Sequence, residues 1–408
     1  MTKDFGSAAV WAGVTAFVWY AFGAVPLHIG VSQQLGLTTA QTSSWIFIVW
    51  FSGALSSIAL SLYFRQPIPI TWTIPGLIYL GTLSGRFSFA ELVGANLAAG
   101  LLLLALGVFG IGGMIMRWLP LPIIMGMFAG SILPYVVRMV TATVEDFVVA
   151  GTAAASYLLG RFIGNPRVPP VGLAVVGGGI AVALLGTAHP EPVEWALPEL
   201  ALAEMSISFS AVGAVSLPMV VLAIGLGNVQ GLGFLMAQGY KVPTNTISTA
   251  VGITSIANAF FGGHPATVAR TGVAILASSE AGPVSGRYWA AVIAAALTIV
   301  LALAATPVAS LLNVLPKTYV FALAGLAILT SLQDALEQSF GGELRFGALV
   351  GFVVAAAPFA VLGISSAFWA IIAGLLASAC VERRQLVDFW NRERSSNEQL
   401  QPTRTTRG

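Results

Sequence analysis

From residue 5 to residue 64 the chain carries no Asp, Glu, Lys or Arg, and uncharged stretches recur at 92–116, 168–190, 205–240, 242–269, 288–316 and 346–381. Each is long enough to cross a bilayer at least once, because about 20 apolar residues rising about 1.5 Å each span roughly 30 Å. Hydropathy, punctuated by Gly, Pro and charge, predicts about fourteen spans, over 8–30, 41–63, 67–82, 89–109, 119–138, 147–162, 168–186, 210–236, 245–261, 263–278, 287–305, 316–333, 345–362 and 364–381. The pattern is that of an all-α polytopic membrane protein.

Composition removes the soluble alternatives. Charged residues are 8% and hydrophobic residues 57% of 408, whereas soluble domains carry about 25% charge. The 45 Gly and 21 Pro fall inside the apolar runs, where close helix packing and broken helices use them. A single cysteine, Cys380, excludes a disulfide framework and a cysteine metal site. No metal, cofactor or nucleic acid is expected. Lys3 and Asp4 precede an apolar segment much longer than a signal core, so no cleavable signal is expected.

An even span count puts both termini on one side, and the charges test that count. With cytoplasmic termini, Lys3, Arg65, Arg117, Arg161, Arg167, Lys241, Arg287, Arg345 and the tail residues Arg383, Arg384, Arg392, Arg394, Arg404 and Arg407 fall inside; Arg86, Arg138 and Lys317 fall outside, and Arg270 lies within a span. This asymmetry predicts a multi-pass protein of the inner membrane with both termini cytoplasmic. The polar segment 187–208 carries Glu191, Glu194, Glu199 and Glu204 without a basic residue, as an external loop would. It divides the chain into halves of seven spans, which must enter the membrane from opposite faces as an inverted repeat. The expected division is a first repeat over 1–186, the loop, a second repeat over 209–382 and a cytoplasmic tail over 383–408, without regular structure beyond Trp390.

The third span of each half opens irregularly. Gln66-Pro67-Ile68-Pro69-Ile70-Thr71-Trp72-Thr73-Ile74-Pro75-Gly76 cannot start as helix, but a helix starting near Pro75 is allowed. Phe261-Gly262-Gly263-His264-Pro265-Ala266-Thr267 is also bent or extended, with a helix expected from Pro265. Spans 3 and 10 are therefore expected as half helices whose N-termini face each other at the midplane and attract an anion. The plainer alternative is a pair of re-entrant kinks without a ligand.

The span 3 run, Arg117-Trp118-Leu119-Pro120-Leu121-Pro122 with Met127-Phe128-Ala129-Gly130, and Gly262-Gly263-His264-Pro265 resemble the BenE family of benzoate:proton symporters. That family resembles the uracil permease and sulfate permease architecture. The resemblance implies core spans over 1–109 and 209–305, gate spans over 110–186 and 306–382, and alternating access of core against gate. It also implies benzoate or a similar aromatic carboxylate as substrate, imported with a proton. The chain departs from the family after the histidine, where Pro265, Ala266 and Thr267 follow and Arg270 appears further along.

Read as a helix of about 100° per residue, span 10 puts His264, Thr267 and Thr271 on one stripe, with Arg270 about 120° round. His264 then sits at the helix mouth, as a donor to a carboxylate or the carrier of the proton; otherwise it is a neutral histidine bonded to a freed carbonyl. Arg270 is either the counter-charge for an anion or a snorkelling residue, and no acidic residue lies deep in a span to pair with it. In span 8, Asn228 and Gln230 are candidate substrate contacts within the glycine-dense run Gly225 to Gly233. The slot for the ring is expected from Thr71, Trp72 and Thr73, and its polar end from His264, Thr267 and Asn228. His28 joins the cavity if the halves correspond, while His189 is read as solvated.

Other classes fit less well. An enzyme needs a nucleophile with a base, or a metal cluster, and the sequence offers neither. A channel needs charged rings or filter loops. A nucleobase or inorganic-anion transporter, or an anion channel, of the same architecture is the alternative. Gly347-Ala348-Leu349-Val350-Gly351 could pack helices within the chain or across a homodimer.

Overall fold

The computed structural model describes residues 5–111, 119–165, 168–361 and 364–398. Lys3, Asp4, Arg117, Trp118, Arg167, Arg404 and Arg407 lie outside them. In the first half the elements are α1 (Ser7–Leu35), α2 (Thr39–Phe64), β1 (Ile70–Trp72), α3 (Ile74–Thr82), α4 (Phe89–Val108), α5 (Leu121–Glu145), α6 (Val149–Ile163) and α7 (Pro170–Leu185). In the second they are α8 (Phe209–Ala237), α9 (Thr244–Phe260), β2 (Ala266–Val268), α10 (Arg270–Leu276), α11 (Tyr288–Leu303), α12 (Ala305–Val314), α13 (Lys317–Phe340), α14 (Arg345–Ala356), a short β3–β4 ribbon (Ala360–Val361, Ile364–Ser365), α15 (Ser366–Val381) and α16 (Arg383–Glu398). Among the described residues seven helices are long and apolar enough to cross a membrane, and α6, α7, α12 and α14 are shorter apolar helices.

Local chemistry sets the boundaries. Thr38 with Gln41 and Ser88 with Glu91 form capping boxes at the starts of α2 and α4, satisfying amides that a helix start leaves free. Gly36 ends α1 in the left-handed region, at φ 67°. Within α8, Val212–Ser216 and Leu222–Val229 are π-helical.

Helices pack through small residues. On α4, a Cβ at Gly107 would lie 2.5 Å from the Thr249 nitrogen of α9. On α5, a Cβ at Gly126 would lie 2.3 Å from the Ala348 oxygen of α14. Such contacts let backbones approach where lipid offers no hydrophobic drive for association. Gly347 lies against Gly374 and Ser378 of α15 and Gly351 against α5, so this stretch is used inside the chain.

Two expectations are corrected. The half helix of span 10 begins at Arg270, not Pro265, because Ala266–Val268 is drawn into a strand against β1. The tail is helical to Glu398 instead of losing structure after Trp390: Leu386 is buried, and the Gln385 side chain accepts the Leu344 amide. The segment 187–208 has no helix or strand and is pinned by Ala203 N–H to Phe260 O and Ser206 N–H to Ala90 O.

Candidate substrate site

The two irregular entries pair as antiparallel strands, with Ile70 opposite Val268, Thr71 opposite Thr267 and Trp72 opposite Ala266. The Thr73 amide donates to Pro265 O at 3.1 Å and the Ala269 amide to Pro69 O at 2.9 Å, so each half supplies a proline carbonyl to the other. Thr73 caps α3 by accepting from the Gly76 amide at 3.3 Å, with Pro75 in the first turn. The strands pass close beneath α8. A Cβ at Gly227 would lie 1.5 Å from Thr267 Oγ1, and the Thr267 hydroxyl donates to Ala223 O at 2.7 Å.

A cavity of about 370 Å³ opens beside this pair toward the exposed Arg161. Thr71, Trp72, Thr73 and Pro75 line it from one half, and Gln230, Thr267, Ala269 and Arg270 from the other. Trp19, Tyr20, Met125 and Phe128 form apolar wall, and Asp334 of α13 completes the lining. Arg270 Nη1 donates to Gln230 Oε1 at 3.0 Å and Nη2 to Asp334 Oδ2 at 2.7 Å. The expectation that Arg270 has no acidic residue deep in a span to pair with it is thereby corrected. Asp334 lies one residue past the predicted end of its span, and the longer helix α13 carries it to the cavity.

His264 and Asn228 are placed away from the cavity lining. The helical stripe that put His264 at a helix mouth does not exist, since Ala266–Val268 is extended. His264 is fully buried, and its Nδ1 accepts from Trp45 Nε1 at 3.0 Å, while Asn258 Nδ2 donates to its carbonyl at 3.0 Å. Asn228 Oδ1 accepts the Val268 amide at 2.9 Å, fastening β2 to α8. His28, also fully buried, donates from Nδ1 to Ala24 O at 3.0 Å, and its ring lies 5.8 Å from that of His264. Trp45, Trp50 and Trp72 surround His28. His189 is exposed, with its amide bonded to Val314 O.

The hydrogen bonds fix the tautomers. His264 accepts at Nδ1, so its proton sits on Nε2, and a second proton would face the Trp45 N–H. His28 already donates at Nδ1, so its unpartnered Nε2 presents a free electron pair. Protonation of His28 would leave its bond to Ala24 intact, whereas protonation of His264 would break its bond to Trp45.

On the opposite side a second cavity of about 360 Å³ is lined by Gln34, Arg86, Ser131 and Arg138. There Tyr135 donates to Ile78 O at 3.0 Å, Tyr79 donates to Ala214 O at 2.5 Å, and the Tyr79 and Ser365 hydroxyls are bonded to each other. These bonds tie α3 to α5, α8 and β4.

A family model described as "Benzoate membrane transport protein" matches residues 3–380. The chain belongs to the BenE family. This BenE chain is 27% identical over 381 residues to the "Benzoate membrane transport protein" of Acinetobacter baylyi (strain ATCC 33305 / BD413 / ADP1), covering 92% of this chain and 96% of that one. It is 27% identical over 342 residues to the "Inner membrane protein YdcO" of Escherichia coli (strain K12), covering 83% and 87%. Among solved structures, the transmembrane domain of the cyanobacterial bicarbonate transporter BicA matches with TM-score 0.58 and 18% identity over 90% of this chain and 97% of that one. SLC26A9 matches with TM-score 0.61 and 14% identity over 93% and 66%. The BenE chain therefore has the fold of these transmembrane domains and is a multi-pass membrane transporter, not an enzyme.

Proposed function

We propose that the chain imports benzoate or a similar aromatic carboxylate across the inner membrane together with a proton, by alternating access. The observation that carries this reading is one cavity with two kinds of lining: Arg270 and Gln230 at a polar end, and Trp19, Tyr20, Trp72 and Phe128 as apolar and aromatic wall. A carboxylate pairs with a guanidinium, and its ring needs an apolar slot. The volume of about 370 Å³ suits a small ligand. The proposed substrate contacts are Thr71, Trp72, Thr73, Gln230, Thr267 and Arg270, with His264 and Asn228 holding β2 behind them. The proton is assigned to His28 in place of His264, on the tautomers above.

In this reading the chain crosses the membrane fourteen times, with both termini cytoplasmic, and the cavity faces the cytoplasm. The moving core comprises α1–α4 and α8–α11, and the gate α5–α7 and α13–α15. What supports the division is packing: α4 lies on α9 and α2 on α11, whereas α5 lies on α13 and α14.

Purified protein in proteoliposomes tests this function. Saturable uptake of labelled benzoate, accelerated by an inward pH gradient and competed by other aromatic carboxylates, is expected. Uptake of a nucleobase, sulfate or bicarbonate in its place would overturn the substrate assignment.

A further inference from the structure

Arg270 has a partner in this conformation, and that partner belongs to the other packing group. Its helix, α10, lies against α8, α1 and α11, whereas Asp334 is on α13, which packs on α5, α6, α7 and α14 as well as on α1. Asp334 Oδ2 sits 2.7 Å from Arg270 Nη2, where one oxygen of a bound carboxylate would sit. Among the described residues the titratable or charged groups lining the cavity are Tyr20, Tyr157, Arg161, Arg270 and Asp334, so Asp334 is the one carboxylate there. Glu337, a turn further along α13, is exposed and bonded by Gln333 Nε2 at 2.8 Å. Both members of the pair are about one-third exposed, at 37% and 35%, so water, protons and ligand reach them.

We propose that Asp334 unloads the carrier: when the cavity faces the Arg161 side, its carboxylate replaces the substrate's carboxylate on Arg270. The inference rests on the proposed movement of core against gate. When the core moves toward the opposite face, Arg270 leaves Asp334 behind and is free to take a substrate anion. When it returns, the two carboxylates compete for one guanidinium, and the fixed one has no translational entropy to lose on binding. The protein supplies its own displacing anion.

The test compares wild type with Asp334→Asn and Asp334→Glu in detergent and in proteoliposomes, using benzoate as the probe and thermal unfolding to establish folding. Asp334→Asn is expected to bind benzoate at least about tenfold more tightly at neutral pH. Its net transport into substrate-free vesicles should slow while benzoate–benzoate exchange continues, and Asp334→Glu, which keeps a carboxylate, should recover net transport in part. A folded Asp334→Asn with wild-type or weaker affinity, while the wild type binds benzoate, overturns the unloading role and leaves the substrate assignment standing. A wild type that binds no aromatic carboxylate overturns both.

Discussion

Thr71 and Thr267 stand opposite one another at the centre of the β1–β2 pair. On either side of them the halves exchange equivalent bonds, Thr73 N–H to Pro265 O and Ala269 N–H to Pro69 O. Proline lacks an amide but keeps a strong acceptor, so each proline can still receive the opposite strand. The pairing is symmetric about the two threonines. Its functional edge is that both strands present their ends to one cavity.

The close approach of α8 to β2 gives a direct test. Gly227→Ala would place a Cβ 1.5 Å from Thr267 Oγ1, against backbone-anchored neighbours, whereas a Cβ at Gly233 meets nothing within 4 Å. Gly227→Ala is expected to destabilise the protein by about 1–3 kcal/mol and to abolish benzoate uptake. Gly233→Ala should leave both unchanged. Thermal unfolding and uptake on the same preparations check the pair.

Arg270 is expected to carry the substrate charge. Arg270→Ala should weaken benzoate binding at least about tenfold, or about 1.4 kcal/mol, and Arg270→Lys should recover only part, because an ammonium lacks the planar fork that holds Gln230 and a carboxylate together. Calorimetric titration of the three proteins decides this.

The paired histidines should separate by role. His28→Gln is expected to keep benzoate exchange but lose accumulation driven by an imposed pH gradient, since the amide cannot carry the proton. His264→Ala should lower stability by about 2–4 kcal/mol, through a buried void and an unpaired Trp45 N–H. Accumulation that survives in His28→Gln would route the proton elsewhere.

The face lined by Arg86 and Ser131 offers a conformational test at Gly81. A Cβ there would fall 1.7 Å from the Tyr135 hydroxyl, so Gly81→Ala cannot keep the Tyr135 to Ile78 contact and should widen the cavity on the Arg86 side. In a Cys380→Ser background, a cysteine at Ser131, which lines that cavity, should react faster with an impermeant thiol reagent once Gly81→Ala is added.

The architecture was legible because hydropathy and proline are local signals. Uncharged runs marked the helices, and Pro75 marked the start of α3 within a residue or two. The start of α10 was not legible from Pro265. A strand three residues long exists only because a partner lies alongside it, and that partner is almost 200 positions away. The same non-local bonds took His264 out of the cavity and gave Asn228 a structural task in place of a ligand. Asp334 was not legible for a related reason: it lies 64 positions from Arg270, at the polar end of a helix where carboxylates are ordinary. The sequence pattern at 270 announced a charge needing a partner; only folding named the partner.

The crossing of the two strands is made by main-chain atoms, which every residue but proline supplies in full. Gln230 and Arg270 line the cavity without being members of that backbone ladder, and the Trp72 side chain lines it from within the ladder. The two can therefore vary separately: replacing lining residues changes what the cavity fits, while the main-chain brace stays the same.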